Sequence, residues 1–115
     1  MDYDSTHDTQ EHIAYVQKFL SDVMSNLAER RANHDRSKLQ EPEKSMYDEF
    51  VPKLRSTTYG SEEYKAYLRE MGAALEHHYA VNRHHPEHFE NGVNGMTLID
   101  LLEMLADWKA AGLTL

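Results

Sequence analysis

The chain has no cysteine, which excludes disulfides and thiolate metal sites together. Any metal it binds must rest on His, Asp and Glu. No apolar run approaches the roughly 20 residues of a membrane-spanning helix. The opening MDYDSTHDTQEH is acidic, unlike a signal peptide. Both features lead us to expect a cytoplasmic protein with no membrane partner. Cationic residues are also scarce: 12 Lys and Arg against 20 Asp and Glu leave a net charge of −8. Nucleic-acid backbones and anionic membranes are held by clustered cations, so general nucleic-acid binding is not expected. A small phosphorylated substrate needs only a local cationic pocket and stays open. There is no glycine-rich phosphate loop, nucleophile elbow or HExxH motif.

Histidine is what the chain has in quantity. There are 8 in 115 residues, and HHYAVNRHHPEH (77–88) holds His77, His78, His84, His85 and His88. The length suits one domain spanning 1–115. Apolar content of 40% and charged content of 28% are ordinary for a globular protein.

Periodicity predicts an all-α fold of about five helices in one compact domain, since no segment alternates with period two. In HIAYVQKFLSDVMSNLAERR (12–31), Ile13, Val16, Phe19, Leu20, Val23, Met24 and Leu27 recur at helical spacing. Extended backwards, that stripe puts His12 on or beside a buried face. A second helical piece is expected in NHDRSKL (33–39), and a third in PEKSMYDEFVPKL (42–54), interrupted or kinked at Pro52. Gly60 and the N-cap candidate Ser61 open a long helix whose stripe of Tyr64, Tyr67, Leu68, Met71 and Leu75 continues into His78 and Asn82. Pro86 ends it, leaving His84 and His85 at its end. ENGVNG (90–95) reads as a loop. The last helix is MTLIDLLEMLADWKAAGLTL (96–115), with Thr97 as N-cap and Asp100 placed for a capping box.

The dipeptide His34-Asp35 is by itself an ordinary solvated helix end. It gains meaning in company, because His12 and His78 fall on apolar stripes of separate helices and His84-His85 follow nearby. Burying several imidazoles and carboxylates without partners costs several kcal/mol, roughly, whereas a metal satisfies them. Lys38 shares the face of His34 and Asp35 and offers a cation to a substrate phosphate. On the last helix Asp100, Glu103 and Asp107 share one face. Asp107 sits late in an apolar helix, against the dipole, which suggests a nearby cation. It is the preferred acidic ligand, with Asp100 and Glu103 in reserve or supporting it. His77 stands as the alternative to His78.

The order His12, His34-Asp35-x-x-Lys38, His78, His84-His85, Asp107 resembles the HD-domain superfamily of all-α, metal-dependent phosphohydrolases. LADWKAA also looks like the segment around the distal aspartate there. The resemblance implies a first metal held by His12, His34, Asp35 and Asp107. It implies a second held by His78, His84 and His85, with Asp35 bridging. At finer grain, RRANHDRSKL, YGSEEYK, HHYAVNRHHPEHF and DLLEMLADWKAA resemble DUF5662, a small family of uncharacterised phage and bacterial proteins.

These resemblances imply one or two divalent ions (Mn, Fe, Co, Zn or Mg) and hydrolysis of a nucleotide or other small phosphoester in a bacterial or phage-infected cytoplasm. Asp35 and Lys38 would be catalytic, with Arg31 and Arg83 as further phosphate contacts. A homo-oligomer is compatible with the sequence. Two alternatives use the same residues: a di-iron oxygenase on the HD fold, and a non-catalytic nucleotide- or protein-binding module with a structural metal. The substrate pocket is expected to draw on STTYGSEEY (56–64) and ENGVNG.

Overall fold

A computed structural model describes residues 2–114. They form five α-helices and three short 3-10 turns, with no strand among the described residues, so the fold is all-α. The chain divides into two compact units, residues 1–32 and 33–115.

The first unit holds α1, Thr6–Asn33, which runs one residue past the division. The expected stripe is present, but no residue of α1 is buried. His12 is exposed on α1, whereas its stripe put it on or beside a buried face. Periodicity marks which face of a helix is apolar, not what covers it.

The second unit is built on α2 (Glu43–Arg55), α3 (Glu62–Glu70), α4 (Gly72–Val81) and α5 (Leu98–Thr114). NHDRSKL is not a separate α-helix. His34 and Asp35 form a turn after α1, and Arg36–Leu39 is a single 3-10 turn packed on α2 and α4. α2 continues through Pro52 rather than stopping there. The long helix expected from Ser61 is broken where Met71 leaves helical geometry, with ψ of 3°, before Gly72. Ser61 caps α3 as expected, its hydroxyl accepting from the Tyr64 amide at 3.2 Å. α4 ends at Asn82, whose side-chain amide donates to the His78 carbonyl at 2.8 Å and occupies an acceptor the helix leaves open. His84 and His85 therefore lie in extended chain beyond the helix. α5 opens on the expected capping box. The Thr97 amide donates to Asp100 Oδ2 at 2.9 Å, and the Asp100 amide donates to Thr97 Oγ1 at 3.1 Å. The helix is described to Thr114, and Leu115 lies outside the described residues.

Phe50, Met71, Ala74 and Met104 are the buried apolar side chains, while Glu43, His78, Asn82, His84 and Asp100 are buried and polar. Buried charge on this scale is rare unless it is paired or bound to an ion. The centre of this unit is therefore organised around polar groups.

Candidate metal centre

The polar interior is assembled from four places in the second unit: the His34-Asp35 turn, the first turn of α2 at Glu43, the end of α4 with the chain after it, and the inner face of α5. Asp35 sits in left-handed backbone, φ 52°. Aspartate is among the few residues that tolerate this conformation.

Two groups of side chains converge there. One is Asp35, His78, His84 and His85, and the other is His34, Asp35, His84 and Asp107; within each, the candidate ligand atoms all lie within 4.8 Å of one another. Asp35 Oδ1 is 3.4 Å from His78 Nε2 and 3.2 Å from His84 Nε2. His78 Nε2 and His85 Nε2 stand 3.0 Å apart. On the other side of the Asp35 carboxylate, His34 Nε2 is 3.4 Å from Oδ2 and 3.3 Å from Asp107 Oδ1. Asp107 Oδ2 reaches to 4.0 Å from His84 Nε2. Asp35 and His84 belong to both groups, so His84 takes part on both sides of the Asp35 carboxylate, not on one alone.

The opposite edges of three of these imidazoles, and the ring of His77 beside them, meet glutamates. His34 Nδ1 is 2.7 Å from Glu103 Oε2, and His84 Nδ1 is 3.0 Å from the same oxygen. His78 Nδ1 is 2.7 Å from Glu43 Oε1, and His77 Nδ1 is 2.6 Å from Glu43 Oε2. A ring that donates through Nδ1 to a carboxylate turns its Nε2 lone pair inward, the usual arrangement of metal-bound histidine. Of the neighbouring pair, His78 faces the centre and His77 supports Glu43.

Without an ion these lone pairs would face carboxylate oxygens and one another. Asp35 Oδ1 and both ring nitrogens of His84 are buried and make no well-angled hydrogen bond. Orphaned buried polar atoms are costly, and a divalent cation at this point would satisfy Asp35 Oδ1 and His84 Nε2 together. The donor set therefore fits a metal. Its imidazole majority suits Mn, Fe, Co or Zn better than Mg, which prefers oxygen.

Protonation follows the same layout. Burial works against charge on Asp35, but the close approach of His78 and His84, with Lys38 and His34 near by, holds its carboxyl well below the usual carboxylate range. Burial also works against a charged His34, yet the bond to Glu103 and the charges of Asp35 and Asp107 raise it above an ordinary histidine. His85 goes the other way, pushed down to about 4 by burial and by the neighbouring His84 and His78. Glu43 is lowered: burial opposes ionisation, but Ser37, His77 and His78 bond to the carboxylate and prevail.

The remaining expected residues fall elsewhere. Lys38 Nζ is 3.2 Å from Asp35 Oδ2 and 5.0 Å from the Tyr47 ring centroid. Arg83 is held by Asp100, with both nitrogens at 3.2 Å, and stacks on Phe89. Its guanidinium is thus engaged by Asp100 at the start of α5. Arg31 is exposed on α1 and His12 enters neither group. Asp100 serves the capping box and Arg83. His88 Nδ1 donates to the Tyr79 carbonyl at 2.7 Å.

A cavity of about 270 Å³ lies against Lys38 and is walled by Tyr47, Arg55, Thr57, Tyr59 and Tyr64. STTYGSEEY contributes to it and ENGVNG does not. Glu43, Tyr47 and Arg55 were not singled out from the sequence. A glutamate in the first turn after proline reads as an ordinary helix-dipole residue, and no sequence signal marks its histidine partners.

No curated protein and no solved structure matches this chain. The family model described as "Family of unknown function (DUF5662)" matches residues 1–115, and the chain belongs to that family.

Proposed function

We propose that this protein is a metal-dependent phosphohydrolase of HD-domain type, acting on a nucleotide or another small phosphoester. The observation that carries this reading is the position of Lys38. It touches Asp35, which belongs to both candidate ligand groups, and it also lines the 270 Å³ cavity. A candidate cation centre and a cationic side chain thus adjoin a space large enough for a small organic group.

His34, Asp35, His84 and Asp107 would hold one ion, and His78 and His85 with Asp35 and His84 a second. Such an ion supplies Lewis acidity, polarising a phosphoryl oxygen and lowering the pKa of water. Lys38 supplies the compensating positive charge as negative charge builds on the phosphoryl group. Arg55 adds a second cation to the same cavity, and the rings of Tyr47, Tyr59 and Tyr64 offer flat apolar surface to a leaving group such as a nucleoside. Glu43 and Glu103 keep the imidazoles in the tautomer that binds a cation.

The test is metal analysis of protein purified without a His-tag, followed by a phosphoester panel supplemented with Mn²⁺, Fe²⁺, Co²⁺ or Mg²⁺. Bound metal with ion-dependent phosphate release is the expected result. Metal-free protein of normal stability overturns the reading.

Four imidazoles around one shared carboxylate also suit iron, and this favours a second reading, a di-iron oxygenase. Iron content with oxygen consumption and no phosphatase activity would select it.

A further inference from the structure

The cavity beside Lys38 is charged against the trend of the chain. Asp and Glu outnumber Lys and Arg by 20 to 12, yet its walls carry Lys38 and Arg55 and no carboxylate. Arg55 is also uncommitted. Lys44, Lys53, Lys65 and Arg83 in the same unit each lie 2.6–3.7 Å from a carboxylate oxygen. Arg55 makes no ion pair among the described residues. A basic residue in the last turn of α2 suits the helix dipole, but that role needs neither a cavity nor a second cation on its wall.

Part of the lining follows one face of α2. Val51, Leu54 and Arg55 come four, seven and eight residues after Tyr47, which sets all of them in one row. Lys38 stands at the Tyr47 end, 5.0 Å from that ring's centroid and 3.2 Å from Asp35 Oδ2. Arg55 stands at the other end, about 12 Å further along the helix. Between the two ends the row is apolar. The cations are thus placed for two separate anions rather than for one phosphate.

The rest of the wall is aromatic. The rings of Tyr59 and Tyr64 have centroids 5.1 Å apart and are tilted by 54°. Gly60, at φ 77°, turns the chain between them. Tyr59 is 85% exposed although it lines the cavity, so its ring is open to an occupant. Ligand sites span roughly 300–1,000 Å³, and about 270 Å³ is near the small end. That suits one ring system with its substituents.

We propose that this cavity selects a phosphomonoester whose leaving group is an aromatic ring bearing a second anionic group. Lys38 takes the phosphate, the tyrosines take the ring, and the fork of Arg55 takes the far anion, a geometry a guanidinium matches in carboxylate or phosphate. Arg55 is the specificity-determining residue. The phosphate end rests on the phosphohydrolase reading.

The test compares 4-(phosphonomethyl)benzoate with benzylphosphonate, two non-hydrolysable ligands that differ only in the far carboxylate, by calorimetric titration of the Mn²⁺-supplemented protein. The benzoate is expected to bind about 10–100-fold more tightly. That preference should vanish in Arg55→Ala and survive in part in Arg55→Lys. Equal affinities, no binding of either ligand, or a preference kept in Arg55→Ala overturns the proposal. Hydrolysis of 4-carboxyphenyl phosphate is measured beside it. An Arg55-dependent preference with no hydrolysis under any metal would sink the phosphohydrolase reading and leave this selectivity standing. Hydrolysis with equal affinities would do the reverse.

Discussion

Glu43 and His78 form a fully buried carboxylate–imidazole pair, with Glu43 Oε1 2.7 Å from His78 Nδ1. The bond fixes which nitrogen of His78 carries the proton and turns Nε2 towards Asp35 and His85. The same carboxylate holds His77 through its other oxygen. Glu43 therefore acts on the centre through another residue, and its removal should register as a change in cation affinity.

Glu43→Ala is expected to weaken Mn²⁺ or Co²⁺ binding by roughly 10–100-fold. Glu43→Gln, which keeps an acceptor for one histidine, should lose less. Calorimetric titration with the metal gives the affinity, and a thermal melt of the metal-free protein separates it from loss of fold. Unchanged affinity in a folded Glu43→Ala protein would mean that His78 is not a ligand.

Asp35 and Lys38 should separate binding from catalysis. Asp35→Asn tolerates the left-handed backbone and removes the charge shared by both ligand groups, so bound metal and hydrolysis should both disappear while the fold survives. Lys38→Ala should keep its metal and lose about 10²–10³-fold in kcat. Elemental analysis beside steady-state kinetics distinguishes the two, and equal metal loss in both variants would contradict the role given to Lys38.

Acidification should expel the ion, and His34 should set the pH. Cation binding needs the neutral imidazole. His34 is raised above the ordinary histidine value, so its proton competes first as pH falls. His85, pushed down to about 4, stays neutral throughout that range. Affinity is expected to drop by about tenfold per pH unit for each proton displaced. In the metal-free protein the sign reverses: a raised His34 pKa contributes stability at low pH that is lost as pH rises through it. Melting temperatures with and without metal should therefore diverge as the pH is raised, and parallel curves would count against His34 as a ligand.

His12 separates what the sequence makes legible from what it does not. The helical periods of α1 and α5, the Ser61 cap and the Thr97–Asp100 capping box are local signals, and each appears in the structure where the pattern puts it. The break at Met71 was not legible, because the apolar stripe runs unbroken through it and glycine at position 72 only weakens a helix. Nor was the partner of each histidine. His12 and His78 look alike on their stripes, yet one is exposed and the other buried against Glu43. Distances across the fold decide that, and no spacing along one helix contains them.

His12→Ala is accordingly expected to leave metal content unchanged, whereas His34→Ala should reduce it, since His34 bonds Glu103 on one edge and approaches Asp35 and Asp107 on the other. Both side chains can be truncated without emptying a core position. Metal content per chain under identical loading is the measurement, and loss of metal in His12→Ala would restore the ligand set that the sequence alone suggests.

The start of α5 offers a stability test close to the centre. Thr97 and Asp100 satisfy each other's amides, and Asp100, fully buried, also holds Arg83. Thr97→Ala should cost about 1 kcal/mol in urea unfolding, the usual value of a lost N-cap. Asp100→Ala should cost more, because it removes the reciprocal cap and leaves the half-exposed Arg83 without its carboxylate partner. Arg83 immediately precedes His84, so Asp100→Ala should also weaken metal binding, while Thr97→Ala should leave it nearly unchanged. Equal metal affinity in the two variants would show that Arg83 does not position His84.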